Sequence, residues 1–197
     1  MDADLEIVLK NFSRIYLGGI PPIITNDSAF LAFVCILTAT EALCGYRYGK
    51  EYDVGKMGAL FKSFVQDYFP TPYGNQADDL WNFRNKMIHA FSTGRFHLTH
   101  HNSQSHLRDL KDDVPADLQS GGFLATPSSS QTLSVTGDMY RPAEGVILNA
   151  EDAYSALLSA AQRYFDEVRQ LPGLQSILRE RIESDSGGAV AIHEIAL

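Results

Sequence analysis

The chain has 197 residues, 45% of them hydrophobic, with 16 Lys and Arg against 24 Asp and Glu, which gives a formal net charge of −8. This length fits one domain of ordinary size, and the apolar fraction is too high for a disordered chain. The sequence contains two cysteines, which excludes a disulfide-stapled scaffold and a cysteine-rich zinc module. The acidic total argues against a protein that coats nucleic acid through bulk charge.

The most apolar stretch of the chain indicates a buried core helix. Residues 29–44 are fewer than the roughly 20 needed to span a bilayer, and they include Glu41. Residues 1–6 lack the basic and apolar regions of a signal peptide. We therefore expect a soluble, cytoplasmic protein with no membrane partner. Cys35 and Cys44 are separated by about 13 Å of helical rise, which is too far for a disulfide.

Helical spacing of apolar residues predicts four helices in the first half of the chain. The first covers residues 2–17 and is expected to stop at the glycines and prolines of residues 18–22. The second runs from about 28 to 48 and is apolar nearly all round, so we expect it to be buried. The third fits residues 54–69, and the fourth runs from about 75 to 93.

The composition changes after the fourth predicted helix. Residues 95–148 are rich in Ser, Thr, Gly, His and Pro. Short β-like runs occur within this segment, at 95–99, 123–126, 131–136 and 145–148. A long amphipathic helix then fits residues 151–171, and Pro172 separates it from a shorter helix that ends near Ser184.

Together these elements predict a mainly α fold. We expect one domain over residues 1–186, a bundle of four to five helices. Residues 95–148 are expected to form a small β-hairpin or loop insertion before the last long helix. The C-terminal tail, residues 187–197, is either an added strand or a disordered segment, and the sequence leaves both open.

A charged side chain interrupts the apolar stripe of the fourth predicted helix. At about 100° per residue, Arg84 projects into a stripe of apolar side chains formed by Leu80, Trp81, Phe83, Met87, Ile88 and Phe91. Burying an unpaired ion costs several kcal/mol, so Arg84 needs a partner. The second predicted helix carries one acid in its apolar run, Glu41. We predict a buried Glu41–Arg84 ion pair, which either pins two helices together or orients the guanidinium of a functional site.

The residues that follow Arg84 form a recognisable pattern. Asn85 and His89 share the polar edge beside the apolar stripe, and Lys86 points outward. Residues 84–89, Arg-Asn-Lys-Met-Ile-His, resemble the Arg-polar-x-x-x-His signature of the HEPN superfamily. Members of that superfamily are small helical bundles found widely among prokaryotic RNA-targeting proteins. The aromatic approach to the motif and its small apolar exit are also similar.

The resemblance implies a function and a set of roles. It covers about residues 2–94 and 150–184, and in catalytic members the Arg and His form a metal-independent ribonuclease site across a symmetric dimer. It therefore implies an endoribonuclease with no cofactor, in stress or phage defence, with an antitoxin or effector as a protein partner. Arg84 would hold the scissile phosphate, His89 would transfer protons for attack by the ribose 2′-hydroxyl, and Asn85 would orient one of them.

The chemistry of these side chains suits that role independently of the resemblance. Guanidinium binds phosphate through two parallel hydrogen bonds, and histidine is the side chain that exchanges protons near neutral pH. On a straight helix, however, Arg84 and His89 point about 140° apart. We therefore expect a homodimer that brings them together across its axis. A helix that unwinds near His89 is the alternative.

The charge of the chain is distributed unevenly. Residues 84–111 hold five Lys and Arg against one Asp, whereas the remainder holds 11 against 23 Asp and Glu. The same segment contains five of the six histidines. A basic, aromatic-containing edge is typical of RNA-binding surfaces. The predicted RNA contacts are Lys86, Arg95, Phe96, with its ring available to stack on a base, and His97.

The sequence suggests two other interpretations. His97, His100 and His101 are close in sequence, but on a strand His100 faces the opposite side, and no Cys or acid is spaced among them, so we expect no metal site. The second is a non-catalytic, HEPN-like dimeric module that binds a protein or nucleotide ligand. The acidic total and the large insertion favour this module, whereas the Arg-Asn-x-x-x-His pattern favours the nuclease.

Overall fold

The computed structural model describes residues 3–25, 28–53, 55–90, 92, 96–99 and 146–186, and within them the predicted mainly α fold is confirmed. The helices are α1 (Ala3–Phe12), α2 (Gly18–Thr25), α3 (Ala29–Tyr48), α4 (Lys50–Asp53), α5 (Met57–Tyr68), α6 (Ala77–Ala90), α7 (Ala150–Gln170) and α8 (Pro172–Ser186). A π-helix, Ser13–Leu17, joins α1 to α2, and a 3₁₀ turn, Gly74–Gln76, precedes α6. The strands are β1 (Phe96–Thr99) and β2 (Val146–Asn149).

The first helical segment is longer than predicted. The sequence predicts that it stops at residues 18–22. In the structure, the helical segment continues through the π-helix into α2, which ends at Thr25. Pro21 has no N–H to donate to the carbonyl of Leu17, four residues earlier. The Tyr154 hydroxyl of α7 donates to that carbonyl instead, at 2.9 Å. A tertiary hydrogen bond therefore satisfies the backbone group that the proline leaves unpaired.

Helix α3 is the centre of the bundle, as its apolar composition predicts. It packs against α2, α5, α6, α7 and α8. Its length and composition alone would allow it to cross a membrane. The surrounding helices account for that composition, because a helix buried on most sides is apolar on most sides.

A polar and aromatic cluster ties α3, α5 and α7 together. The Tyr68 ring stacks on Phe64 at a centroid distance of 4.6 Å, and Tyr164 meets Tyr68 edge-on at 5.8 Å. The Tyr68 hydroxyl donates to Glu167 Oε2 at 2.5 Å and accepts from Arg47 Nε at 3.0 Å. Burial and the hydrogen bond to Glu167 raise the pKa of Tyr68 to about 12. This hydroxyl is therefore a neutral bridge between two charged side chains.

The two strands are parallel neighbours, with Phe96 opposite Val146 and Thr99 opposite Asn149. They match the β-like runs predicted at 95–99 and 145–148. The arms of a hairpin are antiparallel, so these two strands are not the arms of a hairpin. The predicted runs at 123–126 and 131–136, and the tail at 187–197, lie outside the described residues. Asn149 ends β2 and caps α7 by accepting a hydrogen bond from the Asp152 N–H at 3.1 Å.

Candidate functional site

Helix α6 positions the predicted site residues because its apolar face is buried in the core. Leu80, Phe83 and Met87 are buried in the core, and Phe83 meets Phe33 of α3 edge-on at 5.7 Å. Arg84 lies at the margin of this buried stripe, with 13% of its side chain exposed. The apolar spacing that predicted the helix therefore also fixes the direction of the arginine.

The predicted Glu41–Arg84 ion pair is present. Arg84 Nε donates to Glu41 Oε2 at 2.9 Å, and Nη2 donates to Oε1 at 2.7 Å and to Oε2 at 2.5 Å. The fourth hydrogen bond runs from Arg84 Nη1 to Asn85 Oδ1 at 3.0 Å. Only 19% of the Glu41 side chain is exposed, so both charges have lost most of their hydration. Bidentate geometry of this kind is what offsets that loss.

Trp81 provides a ring beneath the guanidinium. The Arg84 Cζ lies 5.4 Å from the centroid of the Trp81 ring, within the range of a cation–π interaction. Trp81 packs in turn on Phe61 of α5, at a centroid distance of 5.3 Å. A Cβ atom on Gly58 would lie 2.8 Å from Trp81 Nε1. Gly58 therefore permits the close approach of the indole, a requirement that the sequence pattern did not reveal.

His89 lies apart from the Glu41–Arg84 pair. It is the next-to-last residue of α6, and its side chain is exposed. That side chain makes no hydrogen bond or ion pair within the described residues. Lys86 is also exposed, whereas Asn85 is half-buried. Helix α6 continues to Ala90, so the alternative of an unwound helix near His89 is not observed. One copy of α6 therefore presents Arg84 and His89 on different sides, and the dimer remains a prediction.

The predicted RNA-contacting residues are described only in part. Lys86 is fully described, whereas Arg95 lies outside the described residues. Phe96 and His97 belong to β1, opposite Val146 and Ile147, but their side chains are not described. Among the residues with described positions, no group of His, Cys, Asp and Glu is arranged to hold a metal ion.

Comparison with family models, curated proteins and solved structures finds no significant match to this chain. The resemblance to the HEPN superfamily therefore rests on residues 84–89 and on their place in a helical bundle.

A cleft of about 410 Å³ adjoins Glu41 and was not anticipated from the sequence. It is lined by side chains of α1, the π-helix, α3, α4, α5 and α8, among them Phe12, Tyr16, Glu41, Tyr46, Tyr52 and Arg181. Its elements are remote in the chain, so no local pattern places them together. One sequence feature could have indicated part of the cleft: the aromatic residues Phe12 and Tyr16 are four positions apart and so share one face of a helix.

Tyr52 lies at the wall of this cleft. Its side chain is 4% exposed, and its hydroxyl is buried close to the Glu41 carboxylate. Burial, with smaller contributions from Cys44 and Glu41, raises the pKa of Tyr52. The hydroxyl therefore stays protonated, a neutral donor beside an ionic pair.

Proposed function

We propose that this protein is a HEPN-like, metal-independent endoribonuclease whose site is completed by a second copy of α6. The observation that carries the proposal is the combination, on one helix, of an exposed His89 with a rigidly held Arg84 and Asn85. An exposed imidazole without a partner in the described structure is free to exchange protons with a substrate. The held guanidinium and amide supply fixed donors for a phosphate group.

Asn85 is oriented as a donor in this arrangement. Its Oδ1 accepts from Arg84 Nη1, so its Nδ2 hydrogens remain for another acceptor. Glu41 occupies the bidentate edge of Arg84, which leaves the free hydrogen of Nη1 for a phosphate oxygen. A phosphate at α6 would thus meet one donor group from each of two neighbouring residues.

The proposed reaction is transesterification within the RNA backbone. His89 accepts the proton of the ribose 2′-hydroxyl, and the 2′-oxygen forms a bond to phosphorus. The bond between phosphorus and the 5′-oxygen breaks, that oxygen takes up a proton from a water molecule, and the protonated His89 returns its proton to the resulting hydroxide. The products are a 2′,3′-cyclic phosphate and a 5′-hydroxyl end, and the charge that develops on phosphate faces Arg84 and Asn85.

One specific observation favours a second candidate, the non-catalytic binding module. A guanidinium that clamps phosphate uses its bidentate edge, and in this chain that edge faces Glu41. In the second candidate the ion pair serves only to join α3 to α6.

RNA cleavage in the presence of EDTA tests the proposal. We expect the wild type to cleave and to leave cyclic phosphate ends, His89→Ala to be inactive, and Asn85→Ala to lose at least tenfold in rate. Asn82→Ala is the matched control, because Asn82 is exposed on the same helix. Equal activity in all variants, or none in a folded wild type, would overturn the proposal.

Mixing the inactive His89→Ala variant with the impaired Asn85→Ala variant tests the composite site. If His89 of one copy serves Asn85 of the other, a mixture of His89→Ala and Asn85→Ala chains regains about a quarter of wild-type activity. Half of the dimers are then mixed, and each mixed dimer has one intact site of two. A mixture that stays inactive would show that the two residues act within one chain.

A further inference from the structure

We propose that the tail of this chain, residues 187–197, docks on an open stripe of α3 that begins where α8 ends. The open stripe consists of Leu31, Cys35, Thr38 and Ala42, which are spaced three and four residues apart and so share one face of the helix. Docking of the tail does not depend on the proposed ribonuclease activity, and it is measured without RNA.

The open stripe keeps its contact with solvent in the described structure. Leu31 is 55% exposed, Thr38 is exposed, and Cys35 and Ala42 are half-buried. The other faces of the same helix are buried in the core. A helix that is apolar nearly all round is normally covered nearly all round. The open stripe is therefore the part of the central helix whose composition calls for a further packing partner.

Helix α8 covers the next turns of the same face of α3. A Cβ added to Gly49 would lie 3.1 Å from Ile177 Cγ2, and a Cβ added to Gly45 would lie 3.8 Å from Arg181 Cζ. The two helices are therefore antiparallel, and each turn of α8 advances by one turn towards the N-terminus of α3. At the same pitch, the end of α8 at Ser186 lies about one turn further along α3. The chain thus leaves α8 where the open stripe begins.

The cleft of about 410 Å³ forms the first part of the path from α8 to the open stripe. Its lining includes Thr38 and Ala42 of the open stripe and Ile182 near the end of α8. Tyr16 and Met57 line it as well, and they are 36% and 40% exposed although both side chains are large and mainly apolar. A segment that continues from α8 through the cleft would cover both side chains.

The amino-acid composition of the tail complements the open stripe. Gly187 and Gly188 follow α8 directly and allow the chain to change direction, because glycine has no Cβ. Seven of the next nine residues are Ala, Val, Ile or Leu, and His193 and Glu194 are the exceptions. The apolar side chains of such a segment gain free energy by leaving water for an apolar surface.

The tail is also long enough to cover the open stripe. The stripe extends over about 17 Å, at about 1.5 Å of rise per residue of α3. The eleven residues of the tail reach about 16 Å as a helix and about 36 Å when extended, so either conformation covers it. Because the tail is tethered to α8 beside the stripe, it meets that surface at a millimolar effective concentration. This local concentration favours the tail over a second copy of the chain as the occupant.

Thiol labelling of the full chain, followed by mass spectrometry, measures the docking. Cys35 belongs to the open stripe, so a docked tail slows its reaction with a thiol reagent. Cys44 is fully buried in the core and reports global unfolding instead. We expect the paired substitution Ile192→Ser and Ile195→Ser to raise the labelling rate of Cys35 about tenfold and to leave that of Cys44 unchanged.

Matched controls separate apolar docking from a general effect of substitution. His193→Ser with Glu194→Ser changes the same segment but keeps its apolar side chains, so it should leave the Cys35 rate unchanged. Ala42→Gln blocks the open stripe from the other side without adding a charge, and it should raise the Cys35 rate as the paired isoleucine variant does. Ser159→Gln is its control, because Ser159 is exposed on α7. If the paired isoleucine variant also exposes Cys44, Ala42→Gln decides the test.

The dependence of Cys35 labelling on protein concentration distinguishes the tail from a second copy of the chain. Docking within one chain is independent of concentration, so the wild-type rate should stay constant when the protein is diluted. Protection of Cys35 that is lost on dilution would overturn the docking of the tail and assign the open stripe to a second copy. An unchanged Cys35 rate in both the paired isoleucine variant and Ala42→Gln, or an equal increase in the controls, would overturn it as well.

Discussion

The ion pair between Glu41 and Arg84 allows a quantitative prediction about stability. Replacing either residue by Met leaves the other charge without its partner in a site where 13% and 19% of the two side chains are exposed. Replacing both by Met removes the charges together and keeps side chains of similar length. The single variants and the double variant therefore form a double-mutant cycle that isolates the interaction.

The expected loss in the free energy of unfolding lies between the values for fully buried and for exposed ion pairs. Loss of one partner of a fully buried pair costs about 3–5 kcal/mol, whereas an exposed pair contributes about 0–1 kcal/mol. Because Glu41 and Arg84 are mostly buried and share three hydrogen bonds, we expect each single variant to lose about 2–4 kcal/mol. The double variant should lose much less than the sum, with a coupling energy of about 2 kcal/mol or more.

Urea unfolding followed by circular dichroism measures these free energies. The matched control is the cycle for Lys62 and Asp78, an ion pair at 2.8 Å between α5 and α6 whose side chains are 34% and 77% exposed. We expect its coupling energy to be below about 0.5 kcal/mol and to fall with added salt. A coupling energy for Glu41 and Arg84 no larger than that of the control would refute the argument that burial makes this pair structurally important.

Three further predictions follow from side-chain packing and ionisation. Gly58→Ala should destabilise the fold by about 1–3 kcal/mol, because the new methyl group collides with Trp81, and the fluorescence of this single tryptophan should change. Burial and a hydrogen bond to a carboxylate raise the pKa of Tyr68 from 10.0 to about 12, so its contribution to stability is complete below about pH 10. It is lost between about pH 10 and 12, where the unfolded tyrosine ionises first; the fall in stability, followed by urea unfolding, should be shallower in Tyr68→Phe. Burial raises the pKa of the Cys44 thiol well above that of a free cysteine, so a thiol reagent should modify the half-buried Cys35 first and Cys44 only as fast as the chain unfolds, as read by mass spectrometry.

Local periodicity of apolar residues predicted the helices, and the cost of burying a charge predicted the ion pair. The second predicted helix, about 28 to 48, matches α3 (Ala29–Tyr48) because its apolar residues face neighbours on nearly every side. The Glu41–Arg84 pair followed from one requirement: an arginine in an apolar stripe needs an acid, and a single candidate existed. Such predictions succeed where one strong energetic term decides the outcome.

The features that the sequence did not predict depend on residues far apart in the chain. The helix persists past Pro21 because Tyr154, 137 residues from Leu17, satisfies the carbonyl that proline leaves unpaired. The parallel pairing of β1 and β2 depends on the path of the chain between them, which β propensity does not encode. The cleft depends on Arg181 of α8 reaching the surface of α3 at Gly45. Each is a tertiary contact with no local sequence signal.

The acidic total of the chain and the proposed binding of an RNA phosphate at α6 are compatible on electrostatic grounds. Charges in water are screened within a Debye length of about 8–10 Å at physiological ionic strength, so distant exposed acids contribute little at Arg84 and Asn85. At that site, Arg84 offsets Glu41 at contact distance. The net charge of −8 acts at long range instead, where it slows the approach of RNA and makes association faster as salt is added. If the proposed ribonuclease activity is correct, substrate selection depends on contacts made after the encounter, because the overall field of the chain repels every RNA alike.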